Sequence, residues 1–329
     1  QVKSKITYDN FDPRGIKYSF DIVNVVDAFV GENLYENKLN SLRELIQNSI
    51  DTCRYKKSLI NDYKPNIKIK LADDKIIIND NGLGMDEFII KNYFGKLGSS
   101  YYQQEDVKKD YDAIGQFGVG VFSYFLISEY IDIETKTQSS ETLHFRLDKD
   151  PKNYFHFFKE STRSEPGTTI TLYLKKEFEN KNPNEFLSYI EDTFRYIEFP
   201  IEIESKNGIH FIEKQKFNFD NFNEIIVESL KHSKKNNCEQ IHYEELNFEE
   251  NEIEGTLFYL YRKDYSFDNI FYDLNENCVF KDDTHDNSKV NISQKGVFIT
   301  SKDFFHLNDV LINLNLKKKL KINISRNDI

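Results

Sequence analysis

The segment SLRELIQNSIDTCRY carries its apolar residues on a helical period. Leu42, Leu45, Ile46, Ser49, Ile50 and Cys53 fall at i, +3, +4, +7, +8 and +11, which predicts a helix over 40–58 with one buried face. The period then changes to two. IKIKL (67–71) and KIIIN (75–79) alternate as the strands of a hairpin. Helical patterns return at 86–94 and 119–128, followed by strand patterns at 130–136, 143–147, 154–159 and 168–175. A helix over 184–197 leads to the strand IEIES at 201–205. Strands gathered beside a few helices predict an α+β sandwich, one mixed sheet with a helical layer. Farther on, GTLFYLY (255–261) and KGVFIT (295–300) read as strands among helices, and NKNPN (180–184) and KHSKKNN (231–237) as solvated loops or helix ends.

Composition sharpens this picture. With 329 residues the chain is expected to form two domains, and its 28 Phe and 20 Tyr supply large core side chains, which argues against disorder of the whole. All six prolines lie at or before Pro200, a shift that places a domain boundary near 210 and divides the chain into 1–210 and 211–329. The formal charge of −11 disfavours a uniform nucleic-acid coat, because phosphate binding needs a positive field. No stretch approaches the ~20 apolar residues of a membrane span, and QVKSKITYDN is not a signal peptide. Cys53, Cys238 and Cys278 are far apart and form no CxxC, so neither a disulfide framework nor a zinc site is expected. The chain reads as a soluble cytoplasmic protein with no membrane partner.

Seven of the 13 glycines lie within residues 82–120, which marks one loop region with special backbone demands. Four segments there and nearby could carry chemistry. On the helix, Glu44, Asn48 and Asp51 lie within about 60° of one another, opposite the apolar face. Alone, this is most simply a polar helix surface. Its sharper reading is Glu44 as a general base for a water and Asn48 as an oxygen ligand of Mg²⁺. In KIIINDNGLGMD, Asp80 ends a strand before Gly82 and Gly84. That is an ordinary turn, or a carboxylate accepting from a base's exocyclic amine, with Met85 as an apolar wall. In AIGQFGVGVFSYF, Gly115, Gly118 and Gly120 precede an apolar helix, either a structural turn or an anion site. In PGTTITLYLK, Thr168 enters a strand and offers a hydroxyl.

Order decides between these readings. ELxxN, DNGxGM, GxxGxG and GT, in that order, resemble the boxes of the GHKL ATPases, a superfamily that includes gyrase, chaperone, histidine-kinase and MutL types. Within it, RELIQNSIDT, DNGLGMD, IGQFGVGVFS, GTTITLYLK and YIEFPIEI most resemble the ninety-kilodalton heat-shock chaperones over roughly 15–205. The resemblance implies a Bergerat fold followed by a second, α/β middle-type domain, and an ATP site needing Mg²⁺. It implies Glu44 as general base and Asn48 as the Mg²⁺ ligand. Asp51, Asp80, Gly84, Met85, Asn92 and Thr168 would contact the nucleoside. Gly115, Gln116, Phe117, Gly118, Val119 and Gly120 would cradle the phosphates under a lid containing Gly95, Ser99 and Ser100. LKINISRNDI resembles the chaperones' middle-domain loop, which implies Arg326 as a γ-phosphate contact. Protein clients and a homodimer of the full-length protein are further implications.

The sequence also departs from that pattern. The chaperones have a lysine where this chain has Ser99, with Lys96 offset. Tyr93 stands near the place of a ribose-contacting asparagine, for which Asn92 substitutes. The chain begins with Gln and ends three residues after Arg326, as expected of a piece of a longer protein. The alternatives are a DNA- or defence-linked ATPase of MORC or MutL type and a nucleotide-gated binding module with little turnover. A histidine kinase ranks below both, since no phosphoacceptor-histidine helix precedes the pocket.

Overall fold

The structure, a computed structural model, describes residues 37–94, 120–148, 155–179, 183–213, 241–250, 252–262, 289–303 and 310–317. Helix α1 (Asn40–Leu59) precedes the hairpin of β1 (Ile67–Leu71) and β2 (Lys75–Asp80). A helical turn at Glu87–Ile89, capped by the Asp86 carboxylate, runs into a π-helical turn at Ile90–Phe94. After Gly120–Ser123 come β3 (Ser128–Lys136), β4 (Leu143–Asp148), β5 (His156–Phe158) and β6 (Gly167–Leu174). Helix α2 (Pro183–Thr193) leads to β7 (Ile201–Ser205) and β8 (Gly208–Ile212). These strands form one eight-stranded mixed sheet, ordered β5-β4-β3-β6-β2-β1-β7-β8. The expected α+β sandwich is the observed one.

Sequence alternation fixes register here. β1 turns Ile67, Ile69 and Leu71 inward, and β7 turns Ile201 and Ile203 inward. Their parallel pairing sets Lys68 opposite Glu202 and Lys70 opposite Glu204, at 2.9 and 2.6 Å on the outer face. A one-residue slip would bury those charges. Leu42, Leu45, Ile46, Ile50 and Cys53 of α1 are fully buried in one cluster with Ile76, Ile78, Ile131, Ile133 and Leu172. Each large aliphatic chain so buried contributes about 1.5–3 kcal/mol.

Several elements differ from the sequence expectation. The helix expected over 119–128 is α-helical only at Gly120–Ser123; a 3-10 turn at Tyr124–Leu126 follows, and Ser128 already belongs to β3. Ser128 Oγ donates to the Tyr124 carbonyl at 2.8 Å, satisfying an acceptor that another helical turn would have used. Helix α2 ends at Thr193 rather than 197, since Phe194, Ile197 and Phe199 dive into the core instead. Pro183, in the NKNPN stretch expected as a solvated loop or helix end, is the first residue of α2, where its missing N–H costs nothing. Strand β8 carries exposed Ile209 and Phe211, a pattern without the alternation that would have revealed it.

The later strands make a second sheet. β9 (Ile241–Glu250), β10 (Ile253–Arg262), β11 (Lys289–Gln294), β12 (Val297–Asp303) and β13 (Val310–Leu316) are ordered β12-β11-β13-β10-β9. Among the described residues of this part, every regular element is a strand. KGVFIT is not one strand, because Lys295 and Gly296 are the hairpin turn, with φ of 48° and 82°. Two positive φ values in a two-residue loop match the right-handed twist of the hairpin. The turn docks on the first sheet's unit: Arg54 Nη2 donates to the Lys295 carbonyl at 2.7 Å, and a Cβ at Gly296 would meet the Tyr196 carbonyl oxygen at 2.5 Å.

Candidate functional site

Strand β2 buries Ile76, Ile78 and then Asp80, each two residues apart. The pleat that hides two isoleucines therefore carries a carboxylate into the interior, where it is 3% exposed. Its Oδ1 accepts from the Gly82 N–H at 2.9 Å and the Thr168 N–H at 3.2 Å. Oδ2 accepts from Ser49 Oγ of α1 at 3.2 Å. A carboxylate has about four lone-pair positions, so Oδ2 retains one for a further donor. Burial pushes the Asp80 carboxyl up to about 6, against the opposing pull of the Gly82 N–H, the Arg163 charge, Ser49 and Thr168. The same burial, reinforced by the Asp80 charge, pushes the neighbouring Cys53 thiol up to about 12, so it is inert at neutral pH.

The loop after Asp80 is clamped from both sides. Leu83 N–H donates to Thr52 Oγ1 at 3.0 Å, and Met85 N–H to Thr135 Oγ1 at 2.8 Å. Gly84 has φ of 71°, and a Cβ there would collide with the Lys136 carbonyl. Its glycine is needed for packing against β3. The Thr135 and Thr168 hydroxyls lie 3.0 Å apart, so Thr168, Met85 and Asp80 converge on one region.

Helix α1 is buried on nearly every side, including Glu44 (3% exposed) and Asp51 (0%). The simple picture of a polar outer surface is thereby replaced: these carboxylates lie inside the protein. Asn48 alone of the three predicted positions is exposed. Its Nδ2 donates to Tyr124 Oη at 2.8 Å, which leaves the carboxamide oxygen for a ligand. Asn92, in the π-helical turn, donates to the Phe88 carbonyl at 2.9 Å, and Gly120 heads its short helix. Gly95, Ser99, Ser100, Gly115, Gln116, Phe117, Gly118, Val119 and Arg326 lie outside the described residues. No group of three His, Cys, Asp or Glu able to hold a metal occurs among the described residues, and no described helix is long and apolar enough to cross a membrane.

Three supports are not evident from local sequence: Ser49 lies on the apolar face of α1, Thr135 in a strand pattern and Tyr124 in an apolar run. The one available signal was a polar residue at each otherwise apolar, inward position.

Residues 37–165 match a family model described as "Histidine kinase-, DNA gyrase B-, and HSP90-like ATPase". This region is a GHKL domain of the HSP90-like ATPase kind. The chain is 32% identical over 280 residues to the chaperone protein HtpG of Borreliella afzelii, covering 78% of this chain and 45% of that protein. It is 34% identical over 217 residues to HtpG of Borreliella burgdorferi, covering 61% of this chain and 35% of that protein. It is also 34% identical over 211 residues to HtpG of Campylobacter jejuni, covering 59% and 33% respectively. The chain thus spans less than half the length of the curated relatives it matches. The residues around Asp80 and Asn48 fit a nucleotide with a divalent cation, since one offers a free acceptor and the other an outward oxygen.

Proposed function

We propose that this chain binds Mg²⁺–ATP at Asp80 and hydrolyses it slowly, as the nucleotide-driven part of a chaperone-like conformational clamp. The observation that carries this is Asp80, a buried carboxylate held by three donors with one acceptor position remaining. That position suits the exocyclic amine of adenine, with Thr168 assisting and Met85 against the ring. Asn48 offers its oxygen to magnesium, which neutralises phosphate charge when bound. Glu44, four residues earlier on α1, takes the proton of the attacking water. Asp51 and Gly84 shape the nucleoside pocket and Asn92 reaches the ribose. Gly95, Ser99 and Ser100 belong to a lid, Gly115 to Gly120 to the phosphate cradle, and Arg326 to a domain spanning 211–329 that completes the site over the 1–210 domain. Closure of such a lid makes turnover gated and slow. In the full-length protein the same cycle would act in a cytoplasmic homodimer on protein clients.

The reading is tested by base selectivity. An acceptor at the 6-position rewards adenine's amine and leaves guanine's carbonyl facing a carboxylate. Calorimetric titration should show ATP binding and GTP at least about 100-fold weaker, as expected when buried polar groups are left unpaired. Equal affinity for both would overturn it.

A further inference from the structure

Arg163 belongs to none of the motifs above, yet its guanidinium lies directly behind Asp80. Nη2 donates to the Asp80 backbone carbonyl at 2.5 Å and to the Pro166 carbonyl at 3.2 Å. Nη1 donates to Thr169 Oγ1 at 2.7 Å, and Nε to the Glu165 carbonyl at 2.9 Å. Every one of these acceptors is neutral, so among the described residues the guanidinium is held by four hydrogen bonds to uncharged oxygens. The loop that carries it is anchored separately: Ser161 Oγ, Thr162 N–H and Arg163 N–H all donate to Glu134 Oε2, at 2.7, 3.0 and 3.2 Å. Gly167, with φ of 130°, clears the passage, since a Cβ there would strike both Arg163 Nη2 and the Asp80 carbonyl.

We propose that Arg163 is a positioning residue for adenine recognition, fixing the end of β2 against the start of β6 and setting a positive charge behind the Asp80 carboxylate. The inference rests on the reading of Asp80 as the adenine acceptor. Arg163 is the cation whose charge opposes the upward push of burial on Asp80. The other titratable groups that feel Asp80 are Cys53 and Lys56 of α1 and Tyr63 of the following loop. Glu134 acts in turn on Arg163, and Lys56 is held by the Asn81 and Gly82 carbonyls at 2.6 and 2.9 Å. None of these replaces the bond of Arg163 Nη2 to the Asp80 carbonyl. The anionic carboxylate accepts from an amine more strongly than the neutral acid, so affinity for adenine should rise with pH through the Asp80 titration.

The test is calorimetric titration of ADP into the chain, from pH 5 to pH 9, for the unsubstituted protein, Arg163→Gln and Arg163→Lys. Gln keeps a donor for the carbonyls and removes the charge; Lys keeps the charge and removes the fork. The unsubstituted chain should gain affinity through about pH 6 and level off above it. R163Q should bind roughly tenfold more weakly at pH 7, with its rise displaced upward by about one pH unit. R163K should be weakened without displacement. R163Q weakened with an unmoved pH profile, or R163K displaced as far as R163Q, would overturn the inference while leaving the adenine reading intact. No ADP binding by the unsubstituted chain at any pH would overturn the reading of the site, and the inference with it.

Discussion

Ser49 Oγ donates to Asp80 Oδ2 at 3.2 Å, joining the middle of helix α1 to the last residue of strand β2. Both side chains are buried, at 5% and 3% exposure. Through this bond the helix bearing Glu44, Asn48 and Asp51 and the strand end bearing Asp80 keep a fixed spacing. The Gly82 and Thr168 amides complete the arrangement, so the carboxylate is oriented before any ligand arrives.

Holding a buried carboxylate ready for a ligand costs stability. The folded Asp80 carboxyl titrates at about 6, above its ordinary 3.8. The folded state therefore binds more protons than the unfolded one between these values. Its contribution is full below about pH 4 and is lost as the pH rises through 6. Asp80→Asn is isosteric: its oxygen still accepts from Gly82 and Thr168, and its NH₂ can donate to Ser49 Oγ. In thermal melts without nucleotide, D80N should be the more stable form at pH 7, by up to ~3 kcal/mol, and no more stable at pH 4. A D80N melting point below the parent's at pH 7 would contradict this.

How far the sequence revealed the site follows from the same bonds. Asp80, Glu44, Asn48 and Thr168 are each ambiguous alone and stand out only through the fixed order of the four segments that carry them. Helix α1, the β1–β2 hairpin and β6 are legible because their periodicity is clear. Ser49, Arg163 and Tyr124 did not stand out, because their roles depend on partners 31, 83 and 76 residues away. A local pattern cannot encode such pairings. The second sheet was harder still. Its β9 and β10 run ten residues each with polar and apolar positions mixed, and the Lys295–Gly296 turn is followed at once by the apolar run VFIT, which hides it.

Glu44→Ala should leave nucleotide affinity within about threefold and reduce phosphate release by ~10²–10⁴-fold, the usual worth of a positioned base. Single-turnover hydrolysis of radiolabelled ATP separates the two. Turnover in E44A equal to the parent's would remove Glu44 from the mechanism.

Gly84 and Gly208 offer a matched comparison. Both have positive φ, 71° and 126°. A Cβ at Gly84 meets the Lys136 backbone, whereas at Gly208 nothing lies within 4 Å. Backbone strain alone is worth about 1–3 kcal/mol. In urea unfolding, Gly84→Ala should lose clearly more stability than Gly208→Ala, and equal losses would show that the β3 contact is slack.

The junction between the two sheets should respond to acid. Arg54 grips Glu198 through two bonds of 2.7 and 2.6 Å while donating to Lys295 of the hairpin turn. Burial pushes the Glu198 carboxyl up, but the Arg54 hydrogen bond and charge outweigh it and hold it below its ordinary 4.5. The pair's contribution is therefore present above that value and lost as the pH falls below it. A double-mutant cycle on Arg54→Ala and Glu198→Gln should give a coupling of about 0.5–2 kcal/mol at pH 7, shrinking at pH 3. A coupling that is absent at pH 7 would mean that the Glu198 carboxylate contributes nothing to holding Arg54 at the Lys295 turn.

The central claim, that Asp80 binds the adenine and Glu44 serves only the chemistry, is tested most directly by titrating Mg²⁺–ATP into Asp80→Asn and Glu44→Ala side by side. The account predicts parent-like binding by E44A and none measurable by D80N, although D80N is at least as stable. Parent-like binding by D80N would contradict it.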